Sequence, residues 1–194
     1  VKAVKIGYLL IASLLVLQSS GIFEISILQG EGPHVFHART KQLPLRDGPY
    51  VASPIAVSVK TSPGQQLVYD QELSRTTRVG HFKVLAVAQI EGRLFGRLTQ
   101  VSRRDYYYGS VGRVNSTVVP GTTIQYLQYR AEGSCFVRID GNVIEVSPCP
   151  EIDAAKFKLE SEPLTEEWIH VKIGSANGWV LVSGEGAKLV DGDS

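Results

Sequence analysis

Hydrophobic positions along this chain follow two regimes. Residues 6–17 form an apolar block (IGYLLIASLLVL) with only Gly7 and Ser13 as weakly polar interruptions, preceded by Lys2 and Lys5 and followed by the polar stretch Gln18-Ser19-Ser20-Gly21. Beyond residue 28 helical periodicity is almost absent, and short segments alternate apolar and polar side chains with period two. FKVLAVAQI and RLFGRLTQV, on either side of Glu91-Gly92, predict a long hairpin over 82–101. TIQYLQYR predicts a strand over 123–130, and WIHVKIG together with GWVLV predicts a hairpin turning within 174–177. CFVRI and NVIEV flank Asp140-Gly141, a pair suited to the type I′ turn because both central residues need positive φ. That turn pairs Ile139 with Asn142, Val137 with Ile144 and Cys135 with Val146. Strands this short, punctuated by Gly, Pro and Asn, indicate an all-β sandwich or small barrel. One stretch dissents: EIDAAKFKLESE (151–162) fits neither period and reads as one or two helical turns or a charged loop.

The opening regime reads as an export element. A basic start, a short apolar core and small residues before a cut match a secretory signal peptide over 1–21. Twelve helical residues rise only about 18 Å, short of a bilayer core of about 30 Å. The competing topology is an N-terminal apolar helix prolonged through Ile22, Phe23, Ile25, Ile27 and Leu28, anchoring the chain in the membrane through residues 6–28. Either topology exports the C-terminal part of the chain to the periplasm or cell envelope. The organisation read from the chain is a linker over 22–37, a β-rich module over 38–110 and a second over 111–194.

Composition narrows the class. The 194 residues carry 20 Lys+Arg against 19 Asp+Glu, a net charge of +1, so nothing marks a broad basic surface for nucleic acid. The two cysteines, Cys135 and Cys149, agree with export and read as one disulfide. They bracket the Asp140-Gly141 hairpin, and Cys149 falls three positions past ideal register, so a bulge or bend at Pro148 is needed to join the sulfurs.

An internal echo links the two halves. Pro63-Gly64-Gln65-Gln66-Leu67-Val68-Tyr69 resembles Pro120-Gly121-Thr122-Thr123-Ile124-Gln125-Tyr126, offset by 57 residues, as a duplicated small barrel would produce. The segment 118–191 resembles a bacterial SH3-like domain. The resemblance rests on the Pro120-Gly121 turn, the strand IQYLQYR, the hairpin CFVRIDGNVIEV and the closing pattern EEWIHVKIGSANGWVLVSGEGAKLV. A weaker match covers 38–101, starting at ARTKQLPLRDGP, with Phe95 where the family usually has Trp. The resemblance implies a small SH3-like β-barrel at the C-terminus and, in its groove, an aromatic-lined slot for an extended ligand.

Catalytic signatures are missing. No GxSxG, HExxH or Walker sequence occurs, and no Cys pairs with a His motif. His34 and His37 lie beside Glu31 in a segment with Gly30, Gly32 and Pro33, which reads as an exposed linker and not a metal site. His170 alternates with Ile169 and Val171 and is expected on the solvent side. Arg103-Arg104-Asp105-Tyr106-Tyr107-Tyr108 is the densest basic–aromatic cluster, read as a strand end or as the aromatic wall of a peptide or glycan groove. Asn115-Ser116-Thr117 is a glycosylation sequon that matters only in a eukaryotic secretory pathway.

These observations point to an exported binding or scaffolding module with no cofactor, no metal and no enzymatic activity. Its expected partner is an extended peptide, a protein tail or a cell-wall (peptidoglycan) fragment. A structural subunit of an envelope or membrane complex is the alternative, and an exported hydrolase a second one. Ligand-binding candidates are Tyr106, Tyr108, Tyr126, Tyr129, Trp168 and Trp179. Among them Trp168, sharing parity with His170 and Lys172, is expected partly exposed and best placed for a groove.

Overall fold

The computed structural model describes residues 24–26, 34–97, 108–130, 132–183 and 190–192, and a short 3-10 turn at Pro150–Ile152 is their only helical element. The strands in chain order are β1 (Glu24–Ser26), β2 (His34–Ala38), β3 (Gln42–Arg46), β4 (Ile55–Lys60), β5 (Gln66–Arg78), β6 (Gly80–Val84), β7 (Ala88–Arg97) and β8 (Tyr108–Val118). They continue as β9 (Thr123–Tyr129), β10 (Cys135–Ile139), β11 (Asn142–Val146), β12 (Phe157–Ser161), β13 (Leu164–Ile173), β14 (Ala176–Ser183) and β15 (Val190–Gly192). One antiparallel sheet runs β15-β2-β5-β13-β14-β3-β4, with β1 added to β5, and the other runs β12-β6-β9-β10-β11-β7-β8.

The two orders are one topology written twice. Number β2, β3, β4, β5, β13, β14 and β15 from one to seven, and β6 to β12 likewise. Both sheets then read 7-1-4-5-6-2-3. A complete inserted unit (80–161) sits between the fourth and fifth strands of a host unit (34–78 and 164–192). The correspondence extends to irregularities. The pairing of β13 with β5 slips between His170 and Val171, and that of β10 with β9 slips between Phe136 and Val137, the same point of each hairpin. Each slip places the bulge one residue beyond a buried tyrosine, Tyr69 and Tyr126, which are 57 residues apart.

The 57-residue echo therefore marks the same strand in both copies. Gly64 and Gly121 take φ of 81° and 89°, and their N–H groups donate to the carbonyls of Ala38 and Val84 at 2.8 and 3.0 Å. This backbone conformation favours glycine and turns the chain into β5 and β9. Inside each sheet a tyrosine packs on a phenylalanine of the first strand: Phe36 on Tyr69 at 4.9 Å and Phe82 on Tyr126 at 4.8 Å between ring centres. Two inner cores result. The host core holds Ala38, Leu43, Leu45, Leu67, Tyr69, Ile169, Val171 and Val180. The inserted core holds Phe82, Val84, Ile90, Ile124, Tyr126, Val137, Ile144 and Val146, with both cysteines. The units touch where the Thr76 hydroxyl donates to the Leu127 carbonyl at 2.6 Å.

The Asp140-Gly141 hairpin has the expected register, with positive φ at both turn residues. The Ser147–Pro148 peptide is cis, and past it Cys149 returns to bond Cys135 across a Cα separation of 5.3 Å. The hairpin of β13 and β14 turns at Gly174-Ser175, within the expected window.

Several expectations are corrected. No closed C-terminal barrel forms: of the strands in 118–190, β9 to β12 belong to the inserted sheet and β13 to β15 to the host sheet. Among the described residues the end strands of each order are not hydrogen-bonded to each other. Glu91-Gly92 is not a turn but lies inside β7, whose hairpin partner is β8. A Cβ at Gly92 would stand 2.4 Å from the Glu145 carbonyl oxygen and 2.5 Å from Ile144 Cγ2, so this glycine serves the close approach of β11. The division read at 110/111 falls inside β8, and the stretch 22–37 read as linker holds β1 and the start of β2. Residues 24–26, which the anchor topology needs as helix, are a strand paired with β5, while residues 1–21 lie outside the described residues. No described helix is long and apolar enough to cross a membrane. The ambiguous 151–162 stretch divides into the 3-10 turn and β12.

Candidate functional site: a charged cleft on the inserted unit

Among the described residues the aromatic candidates Tyr126, Tyr129, Trp168 and Trp179 do not assemble into a groove. Tyr126 is core, and burial holds its phenol well above its ordinary pKa, with Glu151 and Glu162 adding to the effect. Trp168 has no exposed surface, and Trp179 is also buried. The expected exposure of Trp168 is wrong because the host sheet has two covered faces. Ile169 and Val171 enter the inner core, while Trp168 packs with Leu73, Trp179 and Leu181 in a second apolar cluster on the outer face. Its indole N–H donates to Glu166 Oε2 at 3.0 Å. Tyr129 is 52% exposed, and its hydroxyl accepts the Gly133 N–H at 3.2 Å. Tyr108 begins β8, and Tyr106 lies outside the described residues.

The histidines are likewise structural in setting. His34 and His37 belong to β2, with His34 packed near the Tyr69 ring at 5.3 Å, and among the described residues no cluster suits a metal. His170 is buried, contrary to expectation, and its Nδ1 lies 2.6 Å from Asp70 Oδ1. Lys172 Nζ is 2.6 Å from the other oxygen of the same carboxylate. Burial works against ionisation of Asp70, but the bonds from Lys172 and His170 outweigh it and hold its carboxyl below the usual carboxylate range.

The duplication shows where the two units differ. In both hairpins the residues bracketing the turn pair directly, Ile173 with Ala176 and Ile139 with Asn142. Equal distances from those turns align Trp168 with Ser134, Trp179 with Glu145 and Leu181 with Ser147. The 57-residue offset of β5 and β9 aligns Leu73 with Arg130. The host unit's entire outer apolar cluster is thus replaced, position by position, by Arg130, Ser134, Glu145 and Ser147. All four line one open cleft of about 930 Å³, together with Arg93, Arg113 and their neighbours.

Cross-strand pairs of β7 and β8 form one wall of this cleft. Asn115 donates to its partner Glu91 at 3.1 Å, and below them Gln89 and Thr117 hydrogen-bond each other at 2.9 Å. The next pair is Arg93 opposite Arg113, two like charges, an arrangement that destabilises a ladder by itself. Arg93 turns toward β11, where Nη2 lies 2.7 Å from Oε2 of Glu145, a residue only 6% exposed. Arg130 binds the other oxygen of that carboxylate and lies over the Phe136 ring at 5.8 Å. The buried Glu145 carboxylate is thus held between two guanidiniums, one on each oxygen. Arg113 is exposed and has no hydrogen-bond or ion-pair partner among the described residues.

Sequence reading missed this site because none of its residues forms a local motif. The available signal was the charged alternation Glu91, Arg93 and Arg113, Asn115 on outward parity of two strands. Comparison with known proteins finds no matching family model, no similar curated protein and no similar solved structure.

Proposed function

We propose that this protein is an exported, non-catalytic binding module of the cell envelope, made of two small β units of the SH3-like type, whose inserted unit takes an extended peptide, protein tail or cell-wall fragment. One observation carries the reading: the outer slot that the host unit fills with Leu73, Trp168, Trp179 and Leu181 is polar and open in the inserted unit. One copy is plugged and serves as scaffold, and the other presents a cleft. The Cys135–Cys149 bond agrees with an oxidising compartment. The test restores the plug. Ser134→Trp places the host unit's side chain in the cleft, and immobilised wild type and variant are exposed to peptide and wall fragments released from native envelope. Mass spectrometry should find material bound by the wild type and lost from the variant. Equal capture by both would overturn the reading.

A second reading, a structural subunit joined through a sheet edge, is favoured by β4. Among the described residues it pairs with β3 alone, and it exposes Ile55 and Val57 at 52% and 38%. Under that reading Val57→Lys, and not Ser134→Trp, disrupts the native assembly in a size-exclusion profile of the solubilised envelope.

A further inference from the structure

Resting on the cleft as the binding site, we infer that it recognises a single carboxylate, the C-terminal carboxylate of an extended peptide, with Arg113 as its primary contact. Three guanidiniums meet in the cleft, and two of them, Arg93 and Arg130, are already committed to Glu145. Arg113 stands opposite Arg93 and forms no ion pair with any described carboxylate, so it is the one guanidinium of the cleft left to bind a ligand. An incoming carboxylate fits it, since a guanidinium fork matches its two oxygens, and also lessens the repulsion from Arg93.

The lining selects the charge of the ligand. Glu91, Glu132 and Glu145 all border the cleft, balancing the three arginines. A phosphate dianion or a polyanion would bring more than one negative charge against those carboxylates. One carboxylate brings one charge, matching the one uncommitted guanidinium. The lining also selects a peptide over a simple acid. Ser134 and Ser147 border the same space, and a hydroxyl both donates and accepts, so amide N–H and C=O groups beside the carboxylate find partners. In the host unit the corresponding positions are Trp168, Trp179 and Leu181, buried together, and they offer a peptide terminus nothing.

The experiment is an amide and guanidinium NMR titration of the full chain with N-acetyl-dialanine, its C-terminal amide, acetate and inorganic phosphate. The free-acid dipeptide should move the Arg113 Nε–H signal and the backbone amides of Ser134, Ser147 and Asn115. It should bind at least tenfold more tightly than its amide or phosphate, and more tightly than acetate. Because Arg113 is exposed, Arg113→Gln keeps the fold, checked by unmoved core amides, and should weaken the free-acid dipeptide at least tenfold. Equal binding of acid and amide, tighter binding of phosphate, no shift in the wild type, or Arg113→Gln within twofold of wild type would each overturn the inference. The two levels separate cleanly. Capture of envelope material that Ser134→Trp abolishes but that ignores the terminal carboxylate leaves the cleft as binding site and removes only its proposed specificity.

Discussion

Replacing Trp168 by Ala tests the doubly covered host sheet directly. The side chain has no exposed surface and lies between β5 and β14, opposite Leu73 on one side and Leu181 on the other. Burying a large aromatic removes about 150–250 Å² from water, worth about 4–6 kcal/mol at about 25 cal/mol per Å². Alanine recovers part of that, and the cavity left behind adds to the loss, so the expected cost is about 3–5 kcal/mol. Losing the indole N–H also leaves Glu166 Oε2 without that donor. At about 2–4 °C per kcal/mol for a chain of this size, the melting temperature should fall by about 10 °C. The assay is urea unfolding tracked by far-ultraviolet circular dichroism and by fluorescence of the remaining Trp179, with Tyr129→Ala as the exposed control. The control should stay within about 0.5 kcal/mol of wild type, the range for most surface changes. If Trp168→Ala costs less than about 1 kcal/mol, the residue is not core, and both the outer apolar cluster and the contrast with the inserted unit fail.

Two further outcomes rest on named contacts. Gly92→Ala should destabilise by about 1–3 kcal/mol, because its Cβ would meet the Glu145 carbonyl at 2.4 Å in a backbone held by the β7–β11 pairing. Gly112→Ala on the neighbouring strand has open space and should be neutral or slightly stabilising, so equal effects in a thermal melt would refute the interior placement of Gly92. The Asp70 carboxyl, held below its ordinary range by Lys172 and His170, contributes stability that is full above the unfolded value near pH 4 and is lost as pH falls through the folded value. The difference in urea midpoint between wild type and Asp70→Asn should therefore shrink between about pH 6 and pH 3, and a difference independent of pH would contradict the pairing.

Local sequence determined the all-β class, the 57-residue echo, the Asp140-Gly141 hairpin, the window of the β13–β14 turn and the cysteine pair. Each is set within a short span: Asp140-Gly141 selects its turn by φ alone, that turn fixes every pair from Ile139–Asn142 to Cys135–Val146, and the bend at Pro148 brings Cys149 back. Tertiary structure alone decided which strands meet after that. Nothing near Leu164 announces that β13 pairs not with the inserted strands just before it in sequence but with β5, about a hundred residues earlier, yet this pairing splits the expected C-terminal barrel between two sheets. It also explains Trp168. Alternation identifies two faces of a strand but not whether both are covered, and a central strand of a sheet packed on each side buries its polar-looking parity too. The cleft depended on the same nonlocal step. Arg93, Arg113, Arg130 and Glu145 come from four segments that only the strand order 7-1-4-5-6-2-3 brings together, and only the second copy of that order shows that the slot they surround is one the fold otherwise fills.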